Sequence, residues 1–332
     1  MKVLFIGGTG VISTACTELA ARSGIELFLL NRGARPAALP AGVQLLRADV
    51  QDAAQTTAAL SGHRFDAVAQ FIAYKPADIE RDIALFCDIT CQYLFISSAS
   101  AYQRPAAHYL VTESTPLANP FWEYSRNKIA CEERLIAEYR ATGFPVTIVR
   151  PSLTYGRTMI PLALSSWQHP WSVPDRMLRG LPILVHGDGE SLWQSTHNTD
   201  FAKGFLGLVG HQQAIGHAFH ITTDEVLTWN QHYEGLGRIL GVKPKLVHMA
   251  SESICRIEPR LSGGLFGDKA SSVVLDNSKI KRFVPGYQAT TTLQEGLREA
   301  VAWFGADPGR QTIDPEFNAM CDRLLAANAG QS

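Results

Sequence analysis

Val3-Leu-Phe-Ile-Gly-Gly-Thr-Gly-Val-Ile-Ser13 is the stretch on which the reading of the fold turns. Val3 to Ile6 is a short apolar run, with the length and composition of a strand buried on both faces of a parallel sheet. It breaks into Gly7-Gly8-Thr9-Gly10, where glycines let the backbone turn sharply and approach a ligand with no Cβ in the way. Val11 to Arg22 then reads as a helix that closes at Ser23–Gly24. Strand, glycine turn and helix N-terminus in succession turn free N–H groups and the positive end of a helix dipole toward an anion such as a pyrophosphate. The spacing is Gly7-x-x-Gly10-x-x-Ser13, so a serine stands where close helix–strand packing usually asks for Gly or Ala. Glycine turns also occur in βα units that bind no nucleotide, and the rest of the chain has to decide between the two.

The alternation continues along the chain. Ile25–Leu30, Val43–Ala48, Ala67–Ile72, Tyr93–Ile96 and Pro145–Arg150 are further apolar runs. Between them, Asp52-Ala-Ala-Gln55 opens a helix as a capping box, Pro76 begins another that runs to Cys87, and Phe121–Tyr139 is a long third. His217–Ile221 reads as a seventh strand, and Thr228 caps a helix over Trp229–Leu240. Strands and helices alternating at this spacing predict an α/β fold: a doubly wound parallel Rossmann sheet with right-handed crossovers and a smaller C-terminal substrate lobe. Residues 1–157 and 197–228 are assigned to the nucleotide-binding domain. Residues 158–196 and 229–315 are assigned to the lobe, and 316–332 to a polar tail. Ligands of such sheets sit beyond the carboxyl ends of the strands. That places Gly7, Asn31, Asp49, Val50, Phe71, Ile72, Ala73, Ser97 and Ser98 on one rim.

Composition narrows the partners. The chain has 332 residues, 46% of them hydrophobic, and a formal net charge of −1, so no basic surplus asks for nucleic acid or an anionic membrane. No apolar run approaches a membrane span, and the first residues lack the pattern of a signal peptide, so a cytoplasmic protein is expected. The six cysteines are scattered; Cys87 and Cys91 have no second pair or histidine cluster, and free thiols rather than a metal site are expected.

Tyr124 and Lys128 lie four apart on a predicted helix and share one face. A tyrosine titrating near ~10 is a poor acid–base catalyst at neutral pH. A nearby ammonium stabilises phenolate and lowers that pKa, as does the charge of an oxidised nicotinamide ring. The same lysine can hold the nicotinamide ribose, and a hydroxyl at a strand end on the rim, Ser98, can bond the reacting oxygen. Such a set transfers a proton to or from a carbinol oxygen while hydride moves to or from the nicotinamide. Tyr-x-x-x-Lys also occurs on helix surfaces without any such role; its place after a Ser-rich strand end gives it weight.

Taken together these pieces resemble the extended short-chain dehydrogenase/reductase family, the NAD(P)-dependent epimerase/dehydratase type, over nearly the whole chain. Gly7-Gly8-Thr9-Gly10-Val11-Ile12 resembles the family's cofactor turn, and Phe95-Ile-Ser-Ser98-Ala-Ser-Ala-Tyr102 its catalytic-serine segment. Tyr124-x-x-x-Lys128 matches its Tyr/Lys pair. Arg150-Pro151-Ser152-Leu153-Thr154-Tyr155-Gly156 is similar to its motif after strand six, and Gly187-Asp-Gly189 with His197-Asn-Thr-Asp200 to its return segment. The resemblance implies catalysis by Ser98, Tyr124 and Lys128, with Pro151 and Ser152 joining the cofactor contacts. It also implies a homodimer paired through the Pro76–Cys87 and Tyr124–Tyr139 helices.

Departures from the family pattern carry information. Ala99 and Ser100 stand where dehydratases of the family place an Asp–Glu pair, which leaves epimerase, reductase or dehydrogenase. The second strand ends in Asn31-Arg32-Gly33 rather than in an acid. Arg32, with Arg35 close behind, can pair with a 2′-phosphate, which favours NADP over NAD; a solvated loop arginine is the alternative. Leu153 and Trp193 stand where relatives grip a nucleotide diphosphate with Asn and Arg, so a small-molecule substrate without that group is expected unless Arg260 or Lys269 restores the grip. The Asn31-Arg-Gly33 ending and the His197 segment also resemble the chloroplast stem-loop-binding branch. A non-catalytic nucleotide- or RNA-binding protein is therefore the competing expectation.

Overall fold

The computed structural model describes residues 1–33 and 39–330. At its centre is β1 (Lys2–Ile6), in which Val3, Leu4, Phe5 and Ile6 are fully buried. Alternate residues of this strand feed two different cores, as the period of two requires. Val3 and Phe5 pack with Cys16, Ala20, Phe201 and Phe205, whereas Leu4 and Ile6 pack with Phe65, Ile79, Cys131 and Leu135. A strand with two apolar faces has to be covered on both sides, and that selects the doubly wound arrangement.

The sheet is completed by β2 (Glu26–Asn31), β3 (Gln44–Arg47), β4 (Ala67–Gln70), β5 (Tyr93–Ile96), β6 (Val146–Pro151) and β7 (Ala218–Ile221). Its order is β7-β6-β5-β4-β1-β2-β3, and all neighbours are parallel. The register sets Ile6 opposite both Leu30 and Gln70, so the carboxyl ends of β1, β2 and β4 finish level. Of the covering helices, α1 (Val11–Arg22) lies on one face, and α2 (Ala53–Leu60), α3 (Pro76–Phe86) and α4 (Glu123–Thr142) pack on the other. Asp52 caps α2 by accepting from Gln55 N at 3.0 Å, and Gly143, at φ +79°, ends α4 in the left-handed conformation.

β4 and β3 each fall two residues short of their expected spans for local reasons. β4 stops at Gln70 because the Gln70 side chain turns back to accept from Ile72 N at 2.8 Å, which frees Phe71 and Ile72 onto the rim. β3 is shorter at both ends, as suits a sheet edge whose residues are only partly buried.

A third apolar core carries Tyr155, Trp171, Trp193, Trp229 and Leu236. Small strand pairs frame it: Leu153–Tyr155 with Ser195–His197, and Pro182–His186 with Lys245–Met249. The polar tail expected from residue 316 is instead a helix, Pro315–Ala329. Asp314 caps it, and Phe317, Met320, Cys321 and Leu324 are buried in that third core. The apolar residues recur at helical spacing among alanines and polar residues, which hid the stripe from a reading by composition.

Leu324 is fully buried. Leu324→Ala should therefore cost about 2–5 kcal/mol of unfolding free energy, measured as a lowered urea midpoint. An unchanged midpoint would mean that the C-terminal helix is not part of the folded core.

Candidate active site

The turn after β1 is built by its glycines. Gly7 and Gly8 sit at φ +107° and +85°, and a Cβ on Gly8 would stand 2.7 Å from Leu29 Cδ2. Gly10 is the residue before α1, and its N–H donates to Ser13 Oγ at 2.9 Å. The serine in the third glycine position thus uses its hydroxyl to fix the turn it packs against. Thr17 Oγ1 donates to Gly8 O at 2.8 Å and holds the loop from below.

The turn opens onto a cavity of about 830 Å³. Gly7, Thr9, Gly10, Val11, Ile12, Asn31, Arg32, Asp49, Val50, Phe71, Ile72, Pro151 and Ser152 line it, as do Ser98, Tyr124 and Lys128. Gly8 does not; it is buried against Leu29 under the turn. Ala73 is buried as well and contributes only its carbonyl oxygen. Arg35 lies outside the described residues. A Cβ-free turn, a helix N-terminus and a cavity of this size fit a nicotinamide dinucleotide. Arg32 is largely exposed, and its Nη1 lies 3.8 Å from Asp49 Oδ2. A loose surface pair of this kind holds an arginine weakly and leaves it able to turn.

Lys128 is the most constrained polar group of the site. It is 1% exposed, and its Nζ donates to Ala73 O and Ile96 O, each at 2.7 Å. An ammonium has three donors, so one remains for the cavity. The rings of Tyr74 and Phe95 face the charge at 4.7 and 4.8 Å. Burial pulls the lysine down to about 8, while Cys131, Glu132 and Asp78 work to raise it. Tyr124 stands between Trp122 and Tyr74, with ring centroids 4.9 and 6.2 Å away. Burial pushes its phenol up to about 12; a bond from Ser98 opposes the rise, and Tyr74 and Asp268 add to it. Desolvation therefore dominates this phenol, and the lowering expected from the lysine alone does not appear.

Ser98 follows β5 directly. Its Oγ lies 2.9 Å from Ser100 Oγ, which in turn accepts from Ser125 Oγ at 2.8 Å. Behind it lies a network that the sequence reading did not single out. Glu132 bonds Ser97 Oγ and accepts from Arg150 Nε at 3.0 and 3.1 Å. Arg150 Nη1 donates to Tyr102 Oη at 2.8 Å, and Tyr102 meets His220 Nε2. The signal was available: Tyr124, Lys128 and Glu132 recur at i, i+4 and i+8 along one face of α4.

Elsewhere along the cavity, Leu153 and Trp193 both line the wall, as do Trp122, Met159, Trp167, Asp268 and Lys269. Trp171 packs instead against Phe304 in the third core. Arg260 pairs with Glu316 and Glu258 away from the cavity, whereas Lys269 lines it, 2.8 Å from Asp268 Oδ2. His186 and His220 bond the backbone of Lys269 and Asp276. Among the described residues no group of three His, Cys, Asp or Glu side chains could hold a metal ion, and no helix is long and apolar enough to cross a membrane.

Comparison with known proteins bears on the family and the fold. Residues 3–222 match the model of the NAD dependent epimerase/dehydratase family. The chain is 24% identical over 290 residues to 2′-dehydrokanamycin reductase of Streptomyces kanamyceticus, covering 87% of this chain and 80% of that protein. It is 23% identical over 343 residues to chloroplast stem-loop binding protein of 41 kDa b of Arabidopsis thaliana, covering 98% and 84%. The crystal structure of dTDP-glucose 4,6-dehydratase from Bacillus anthracis, in complex with NAD, superposes with a TM-score of 0.74 at 18% identity, covering 93% of this chain and 98% of that one. The chain belongs to the NAD-dependent epimerase/dehydratase family, within the extended short-chain dehydrogenases/reductases.

Proposed function

We propose that this protein is an NADP(H)-dependent reductase or epimerase that acts on a ketone or hydroxyl of a sugar-like substrate. The observation that carries the reading is the buried Lys128 ammonium, with two donors fixed on backbone carbonyls and its third left to the cavity beside Tyr124 and Ser98. The nicotinamide, when bound, supplies or accepts the hydride. Ser98 bonds the reacting oxygen, Tyr124 gives its phenolic proton to that oxygen or takes it back, and Lys128 orients the ribose and the phenol. A phenol held well protonated is ready to act first as an acid, the direction that reducing a ketone requires.

Two features favour reduction of a substrate without a nucleotide diphosphate. Leu153 and Trp193 give that part of the wall one neutral donor and no charged fork, and the Lys269 ammonium in the same wall is paired with Asp268. One relative is named a 2′-dehydrokanamycin reductase, a name that mentions no sugar nucleotide. Ala99 and Ser100 in place of an acid pair speak against dehydration. The same reading takes the protein as a cytoplasmic homodimer that uses α3 and α4 as its interface and has no nucleic-acid partner. The similarity to a stem-loop binding protein supports the alternative of a non-catalytic nucleotide- or RNA-binding protein. The complete Ser98, Tyr124 and Lys128 set and the net charge of −1 favour the enzyme.

Arg32 at the cavity edge is assigned to a 2′-phosphate. NADPH should bind tighter than NADH by roughly tenfold to a hundredfold, as a charge-assisted contact of about 1.5–3 kcal/mol implies. Arg32→Ala should remove most of the difference in a fluorescence titration, and equal affinities in the unmodified protein would contradict the assignment. For the chemistry, Tyr124→Phe should abolish turnover on a substrate found by screening with NADPH while leaving cofactor affinity close to its original value. Lys128→Ala should damage both. A Tyr124→Phe enzyme that keeps near-normal kcat would show that another group moves the proton.

A further inference from the structure

Arg104 is the one arginine among the described residues whose whole guanidinium is buried without a hydrogen-bond partner. The residue is 3% exposed, and Nε, Nη1 and Nη2 all lack a partner among the described residues. Its backbone N donates to Ala118 O, and the adjoining Asn119 side chain ties Ser100 O to Gly267 O, each at 2.7 Å. The arginine therefore lies where the Ser98–Ser100 segment meets the turn Leu265–Lys269. Burial lowers its pKa, and the opposing charge that it feels is Asp268.

Asp268 is already engaged. Its Oδ2 is 2.8 Å from Lys269 Nζ, both side chains line the cavity, and both are nearly buried. Lys269 Nζ faces the Trp122 ring at 5.8 Å and that ring packs 4.9 Å from Tyr124, which places the pair beside the reacting end. Asp268 is thus paired with Lys269 while it is also the opposing charge acting on the unpartnered Arg104, and one carboxylate can neutralise only one of the two. A buried charge left without a counter-charge is costly.

We propose that the missing counter-charge is on the substrate: the site takes a sugar-like molecule bearing a single carboxylate, with Asp268 turning to Arg104 and the Lys269 ammonium released to the substrate's acid group. This rests on the reading of the cavity as a sugar-like substrate site and names the substrate class. A neutral sugar would leave one cation unpaired, and an amino sugar would add a third. A nucleotide diphosphate would bring more negative charge than one freed ammonium offsets. In this scheme Lys269 touches the substrate, and Arg104 is a positioning residue that acts through Asp268. Trp122, whose ring faces Lys269 Nζ at 5.8 Å, and Trp193 lie in the same wall and report its occupancy.

The test uses the full chain saturated with NADP⁺. D-glucuronate, methyl β-D-glucoside, D-glucosamine and UDP are titrated separately by calorimetry and tryptophan fluorescence. D-glucuronate is expected to bind at least about tenfold tighter than the neutral glycoside, with D-glucosamine weaker than both. Lys269→Gln and Arg104→Gln should each erase the preference for the acid while neutral-glycoside binding persists. Asp268→Asn should strengthen D-glucuronate binding, a direction that misfolding would not produce, and should lower the pH at which Tyr124 titrates. Equal affinity for acid and neutral sugar, no binding of the acid, or micromolar binding of UDP alone would overturn the proposal. In the first two cases intact NADPH binding and loss of turnover in Tyr124→Phe would leave the proposed chemistry standing; a protein that binds no nicotinamide cofactor would overturn that chemistry itself.

Discussion

A single buried ammonium ties the site to the fold. Lys128 Nζ is held by the carbonyls of Ala73 and Ile96, one from the segment after β4 and one from the last residue of β5. Those carbonyls are free to accept because the chain leaves the sheet there; within the sheet they would be spent on neighbouring strands. The lysine can be buried because these two carbonyls take its donors, and it ties the two segments together. Its charge is costly to bury, and two carbonyl bonds and the facing rings of Tyr74 and Phe95 offset part of that cost.

The rest of the site follows from this anchor. α4 is fixed against the sheet by Lys128 and, one turn further on, by Glu132, whose carboxylate bonds Ser97 and Arg150. Ser97 precedes Ser98, so the network that clamps the helix also sets the strand end carrying the hydroxyl. Tyr124, one turn before Lys128, is then held at the cavity by its place on α4 and by the Ser98 hydroxyl. Trp122 and Tyr74 pack beside its ring, and desolvation is what drives its phenol up to about 12.

What could be read in the sequence was what has a short-range cause. The glycine turn, the alternation of strands and helices, the Thr228 cap and the Tyr124–Lys128 spacing each depend on residues within a few positions of one another, and all reappear in the structure. What escaped depends on pairs far apart in the chain. Asp268 and Lys269 come to line the cavity, and Glu132 meets Arg150 and Ser97, only after the chain has folded. The helix over Pro315–Ala329 escaped because four apolar residues become a stripe only when wrapped at 3.6 residues per turn and set against a core built from the middle of the chain. The reading of Lys128 as lowering the Tyr124 pKa took account of proximity but not of burial, which acts on both groups at once.

The central claim is that Tyr124 is the proton-transfer group and that a cofactor charge completes its environment. It is tested most directly by the ultraviolet difference spectrum of phenolate against pH, taken as the unmodified protein minus Tyr124→Phe, with and without saturating NADP⁺. Without NADP⁺ the difference signal should appear only at strongly alkaline pH, as the burial of the phenol requires. With NADP⁺ the midpoint should move down by about one pH unit or more, because a positive ring beside the phenolate favours it. A midpoint that NADP⁺ leaves in place would contradict the account.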